Sequence, residues 1–167
     1  MAEAERSDLS IGRGGDSQIV TFFLADEEFG VDILLVKEII RPAPITEVPN
    51  TLSYVEGVIN LRGKVVPVVD LRKRLYLPAS PQDKSTRIMI IEMQERTTGF
   101  ILDSVSKVIT LPKDSIQAAP DMITVGVDSE YILGVSRVED GGDRLIILLD
   151  FSKILTETER DEIGHLE

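Results

Sequence analysis

The sequence predicts a mainly β protein made of two small, packed barrels of about five strands each, with short helices between strands and one at the C terminus. Three observations carry that expectation. The apolar residues, rich in Val and Ile, fall in strand-length runs rather than at a sustained helical period. Gly, Pro and Asp punctuate those runs. Several segments of the second half echo segments of the first in the same order, so the chain reads as a duplication. About five strands are too few for a sandwich, but they close into a small barrel, and closure removes unpaired edges.

Residues 1–17, with "GRGGDS" and scattered charge, show no apolar period and are expected as a flexible arm. "QIVTFFL" (Gln18 to Leu24) is β-branched and aromatic, "ADEE" is a turn, and "FGVD" resumes a short strand, together a first hairpin. "DILLVKEIIRP" is ambiguous. Ile33, Val36 and Ile40 have helical spacing after an Asp N-cap, yet Val36, Glu38 and Ile40 also alternate; one helical turn followed by a strand is the favoured reading. Pro42, Pro44 and Pro49 mark an extended crossing, after which "YVEGVINL" and "KVVPVVD" form a hairpin around Arg62 and Gly63. Pro67 lacks a backbone N–H, which places it at an edge or a corner. Asp70 is read as the N-cap of a short helix, and "PASPQDKST" (Pro78 to Thr86) as a linker or surface loop.

The pattern then restarts. "RIMIIEM" echoes "QIVTFFL", and "GFILDSVSKVITLP" echoes "FGVDILLVKEIIRP", with Phe100 and Asp103 spaced like Phe29 and Asp32. "YILGV" matches "YVEGV", and "LLDFSKIL" matches "VVDLRKRL". The expected division is therefore one barrel over residues 18–77 and a second over 87–151, joined by 78–86, with a helix and tail over 156–167. That helix opens on a capping box, Thr156 to Glu159, and has Ile163 on its apolar face. Trp is absent and aromatics are few, so Val, Ile and Leu must fill the cores.

Composition narrows the function. A formal charge of −11 opposes binding to nucleic-acid phosphates and anionic lipid, and the longest apolar runs are far short of a membrane span. Protein partners are the expected class. Cysteine is absent, which excludes disulfides, thiolate metal ligands and a cysteine nucleophile and suits a reducing cytoplasm. No catalytic constellation stands out. The single histidine, His165, lies in the terminal tail, where it cannot hold a base or metal ligand in place, and "GRGG" lacks the Lys-Ser/Thr of a phosphate loop. Asp32, Asp70, Asp103 and Asp150 each follow an apolar strand; helix capping is the stronger reading of them and a carboxylate-dependent hydrolase the weaker one. No catalytic, cofactor or metal residue is assigned. Glu38, between large aliphatics, and Arg62, at a hairpin tip, remain as surface charges with no obvious structural use.

The ordered stretch "GVINLRGKVVPVVDLR", preceded by "VKEII" and "EVP" and followed by "GFILDSVSKV", resembles the CheW-like family of bacterial chemotaxis coupling proteins over roughly Gln18 to Leu155. The resemblance implies a fold of two SH3-like five-stranded barrels and a non-catalytic adaptor without cofactor. It further implies two partners: the cytoplasmic tip of chemoreceptors and the regulatory, CheW-like domain of the histidine kinase CheA. Such a protein works in the cytoplasm, brought to membrane-associated arrays by its partners. Carried over by position, the Val36 to Ile40 stretch, including Glu38, and the Arg62–Gly63 turn match contact segments of the family. A receptor helix laid between the barrels nominates Ile33, Val36, Ile39, Val105 and Val108 as apolar lining. The second half has "RVEDGG" in place of "NLRG", so no second Arg-Gly tip is expected. The same fold serving a pilus-motility or second-messenger pathway is the neighbouring alternative.

Overall fold

The computed structural model describes residues 16–118, 127–139, 142 and 144–166. Almost all of the expected N-terminal arm lies outside these residues. The strands are β1 Ser17–Leu24, β2 Glu27–Asp32, β3 Val36–Ile40, β4 Val55–Leu61, β5 Lys64–Asp70, β6 Arg87–Met93, β7 Arg96–Leu102, β8 Ser104–Leu111, β9 Ile116–Gln117, β10 Ile132–Val138 and β11 Arg144–Leu149. Among the described residues three short helices, α1 Leu71–Arg74, α2 Phe151–Ile154 and α3 Glu157–Gly164, accompany the strands. The ambiguous segment resolves as one 3-10 turn, Ile33–Leu35, capped by the Asp32 carboxylate on the Leu34 amide, followed directly by β3. Pro78 to Ser85 is exposed, as the linker reading required.

The strands form a six-stranded sheet, β8-β1-β2-β11-β10-β9, and a five-stranded sheet, β3-β6-β7-β5-β4. Each closes on a continuation of its own terminal strand. The chain leaving β3 returns at Thr46 to bridge Val58 of β4, and the chain leaving β8 returns as β9 to pair with β10. These are the two SH3-like barrels.

Their membership corrects the expected division. The opening hairpin β1–β2 pairs through β2 with β11, and the hairpin β6–β7 pairs through β7 with β5, both in parallel. Each sequence half thus lends its first hairpin to the other half's sheet, and residues 18–77 and 87–151 are not the two barrels. Periodicity reports which residues are buried but carries no information on which strand lies alongside. The repeat itself is real: Gly30 pairs with Leu148 as Gly99 pairs with Val68, and Asp70 and Asp150 cap α1 and α2. This register makes Gly30 and Gly99 equivalent, so the matching Phe–Asp spacing at Phe29 and Phe100 was a coincidence. Asp103 is correspondingly not a cap: it accepts from the Ala25 amide at 2.8 Å and forms an ion pair with Arg72.

The core has three parts. Alternate residues of one strand point to opposite faces. One face of the five-stranded barrel encloses Ile59, Val66, Val68, Ile88, Ile90 and Ile101; one face of the six-stranded barrel encloses Ile19, Ile109, Leu111, Ile146 and Leu148. The opposite faces meet in a larger cluster that contains Phe22, Phe29, Tyr54, Met89, Phe100, Tyr131 and Phe151. Both barrel interiors are therefore aliphatic, while aromatic rings fill the seam between barrels. Strands buried on both faces explain near-continuous apolar runs such as "RLIILL". Pro67 belongs to β5, which has β4 on one side and β7 on the other, but pairing to β7 begins at Val68. Proline thus occupies the corner before the second ladder starts, where its missing N–H costs no bond to β7.

Candidate functional site

The nominated apolar residues lie on two strands, β3 and β8, and in the 3-10 turn before β3, at the margins of the seam. In β3, Val36 pairs with Ile91 and Ile39 with Met89, both members of the seam cluster, so Val36 and Ile39 share the seam-facing side of their sheet. In β8, Val105 pairs with Phe22 and Val108 with Val20, again seam residues. Both strands end their sheets, one strand outboard of the packed β1 and β6. Ile33, Val36 and Val105 are half-buried against the cluster, whereas Ile39 is 37% and Val108 is 51% exposed. The apolar seam thus continues outward into accessible aliphatic side chains on two walls. Leu34, 82% exposed in the 3-10 turn between β2 and β3, adds an apolar side chain that sequence reasoning left out.

Glu38 and Arg62, nominated separately, meet. Glu38 pairs with Ile90 and so faces away from the seam, and the β4–β5 tip brings the Arg62 guanidinium onto its carboxylate as an ion pair. The hydrogen bond and charge of Glu38 raise the Arg62 pKa further above its ordinary value. Arg62 and Gly63 both have positive φ, 54° and 86°, the two-residue turn that matches strand twist, and the Gly63 amide donates to Asn60 Oδ1 at 2.7 Å. Backbone geometry and the Glu38 contact together fix where the tip points.

Sequence reasoning missed the polar centre of the molecule. Arg74, 6% exposed, lies with its guanidinium 5.0 Å from the ring centroids of both Tyr54 and Tyr131. Its Nε donates to the Ile154 carbonyl at 2.6 Å and its Nη2 reaches Glu159. The Tyr54 hydroxyl donates to Glu159 Oε2 at 2.6 Å, and Glu159 closes the capping box of α3 with Thr156. Burial and the Glu159 carboxylate push the Tyr54 hydroxyl pKa well above its usual value. Burial alone would raise Glu159, but the Tyr54 hydroxyl, the Thr156 amide and Arg74 together hold it below the usual carboxylate range. Tyr54 and Tyr131 are repeat equivalents in "YVEGV" and "YILGV", and that symmetry was the available signal.

The four candidate carboxylates are employed structurally. Asp32, Asp70 and Asp150 accept from backbone amides of the turns they start, and Asp103 holds Arg72. A shallow pocket between β6–β7 and α3 is lined by Ile91, Met93, Phe100, Leu155 and two arginines, with no carboxylate in its wall. Among the described residues no group of three His, Asp or Glu is placed to hold a metal, and no helix is long and apolar enough to cross a membrane. His165 is exposed beyond α3.

Comparison with known proteins identifies the family of the chain. A model of the CheW-like domain matches residues 18–159. The chain belongs to the CheW-like family. It is 33% identical over 153 residues to the chemotaxis protein CheW of Treponema pallidum, a match spanning 89% of this chain and 88% of that one. The Bacillus subtilis chemotaxis protein CheW is 34% identical over 138 residues, covering 83% and 86% of the two chains. The crystal structure of scaffolding protein TtCheW from Thermoanaerobacter tengcongensis superposes with a TM-score of 0.75 at 34% identity, covering 86% of this chain and 90% of that one. CheW proteins are non-catalytic scaffolds of bacterial chemotaxis, and that is the role of this chain.

Proposed function

We propose that this CheW-like protein couples methyl-accepting chemoreceptors to the histidine kinase CheA in cytoplasmic arrays, with a receptor helix at the seam margin and the kinase's CheW-like regulatory domain on a barrel end. The observation that supports the reading is that Val36 and Ile39 on β3 and Val105 and Val108 on β8, two sequence-distant pairs, each lie on an end strand beside residues of the one apolar seam, with Ile39 and Val108 exposed. A helix with one apolar face fits such a border better than a flat partner does. Arg62 and Gly63 contribute through a tip whose direction Glu38 holds.

Reconstitution tests this. A receptor cytoplasmic fragment, the kinase and this protein are combined, and kinase autophosphorylation is followed with complex formation. The coupling reading expects a ternary complex and receptor-dependent kinase activity that requires this chain. Absence of both removes the reading. Pull-downs against chemotaxis and pilus-type kinases separate it from a pilus-motility role.

A further inference from the structure

Two residues with side chains occupy a hairpin tip whose backbone favours glycine. Gln94 and Glu95 form the two-residue turn between β6 and β7, closed by the Met93–Arg96 pair, and have φ of 52° and 64°. The β4–β5 tip meets the same demand with Gly63 as its second residue. A left-handed backbone is disfavoured wherever a Cβ is present, and it persists where neighbouring contacts hold it.

Those contacts come from α3. Arg160 Nη2 donates to Gln94 Oε1 at 3.1 Å, and Arg96 Nη2 donates to Asp161 Oδ1 at 2.9 Å. The Arg96 guanidinium lies against Gly164, where a Cβ would fall 1.6 Å from Nη1, so the helix leaves room for it. Glu159 meanwhile holds Tyr54 and Arg74, and Ile163 is buried in the seam cluster. A helix of eight residues is not stable alone, so α3 keeps its shape only while docked. Undocking removes both of its contacts to the tip together.

The tip in turn lies close to β3. Val36 pairs with Ile91, two residues before Met93, and the 3-10 turn ahead of β3 lies beside β6. Among the described residues β6 is the one strand hydrogen-bonded to β3. We propose that α3 is a latch: docked, it fastens the β6–β7 tip and through β6 holds β3 in place; undocked, it frees the tip and β3 as one unit. The family model matches only as far as residue 159, so most of α3 lies beyond the segment matched to the family. The latch belongs to the fold and does not rest on the coupling reading.

The test is native-state hydrogen exchange on the full protein, followed amide by amide by NMR. Glu162 is exposed within α3, and Glu162→Pro breaks the helix without removing a side chain that grips the tip. The latch expects the amides of residues 94–97 and of β3 to exchange about tenfold faster than in the wild type, with β10 and β11 unchanged. Glu162→Ala keeps the helix and should leave all of them at wild-type rates.

Loss of protection in α3 with wild-type rates at the tip and β3 would make α3 a passive cover and overturn the proposal. If every amide of the Glu162→Pro variant speeds up, the protein has unfolded globally and Asp161→Asn decides. That change deletes the Arg96 ion pair alone, and the latch expects about a threefold rise confined to α3, the tip and β3. No rise at the tip and β3, or one spread evenly over both sheets, overturns the latch.

Discussion

Replacing Gly57 with Ala should destabilise the protein far more than the same change at Gly63, although both glycines lie in one hairpin with positive φ. A Cβ on Gly57 would come within 2.1 Å of the Thr46 carbonyl oxygen, backbone that cannot swing aside as a side chain does. Thr46 and Val58 exchange both backbone hydrogen bonds there, at 2.8 and 2.9 Å, and this bridge closes the five-stranded barrel. The φ of +145° costs about 1–2 kcal/mol for a residue with a Cβ. Each broken backbone bond adds about 1 kcal/mol. The expected loss is therefore about 3–5 kcal/mol for Gly57→Ala, a large part of a typical domain's stability. A Cβ on Gly63 meets nothing within 4 Å at φ +86°, so strain alone applies, about 1–2 kcal/mol. Urea unfolding followed by far-UV circular dichroism gives both values, and hydrogen exchange at the Thr46 and Val58 amides locates the damage. Equal losses in the two variants, or a Gly57→Ala loss below about 1 kcal/mol, would refute barrel closure as the reason for that glycine.

Alanine at Glu38 or Arg62 should leave folding within about 0.5 kcal/mol, since the ion pair joins an exposed Arg62 to a half-buried Glu38 at the surface, while weakening ternary assembly by roughly 1–2 kcal/mol; unchanged receptor-dependent kinase activity in both variants counts against the tip as a contact. Val36→Asp should fail in two ways, because Val36 is half-buried against the seam: a thermal melt should show a loss of about 2–3 kcal/mol alongside any binding defect, and an unchanged melt would place Val36 outside the core. Glu159 is held below the usual carboxylate range in the folded state, so its stabilisation is complete above the ordinary carboxylate pKa and is lost as pH falls through the lowered folded value. Tyr54→Phe removes one cause of that lowering and should move the onset of acid unfolding to higher pH, at a cost of about 1–2 kcal/mol near neutrality. Acid titrations of wild type and variant that superimpose would deny the Tyr54–Glu159 bond this role.

Much of the architecture is written in local chemistry. Asp32 followed by a turn and then β3, the Thr156–Glu159 capping box, the Arg62–Gly63 tip and the exposed 78–85 segment all follow from short-range rules, because a cap or a tight turn needs only residues a few positions apart. The family, and with it the non-catalytic scaffold role, is also legible in the ordered core "GVINLRGKVVPVVDLR".

Tertiary structure decided what depends on distant neighbours. The exchange of opening hairpins between the two sheets leaves no local trace, since a strand such as β2 buries the same residues whichever strand lies alongside. The meeting of Glu38 with Arg62 spans two strands, and the placement of Arg74 between Tyr54 and Tyr131 spans two halves; their energies come from contacts that exist only after the barrels have packed. The same holds for the seam margin. The sequence alone listed Val36, Ile39, Val105 and Val108 as apolar, and only the packing of two closed sheets decides that Val36 and Val105 are half-buried against the seam while Ile39 and Val108 stay exposed.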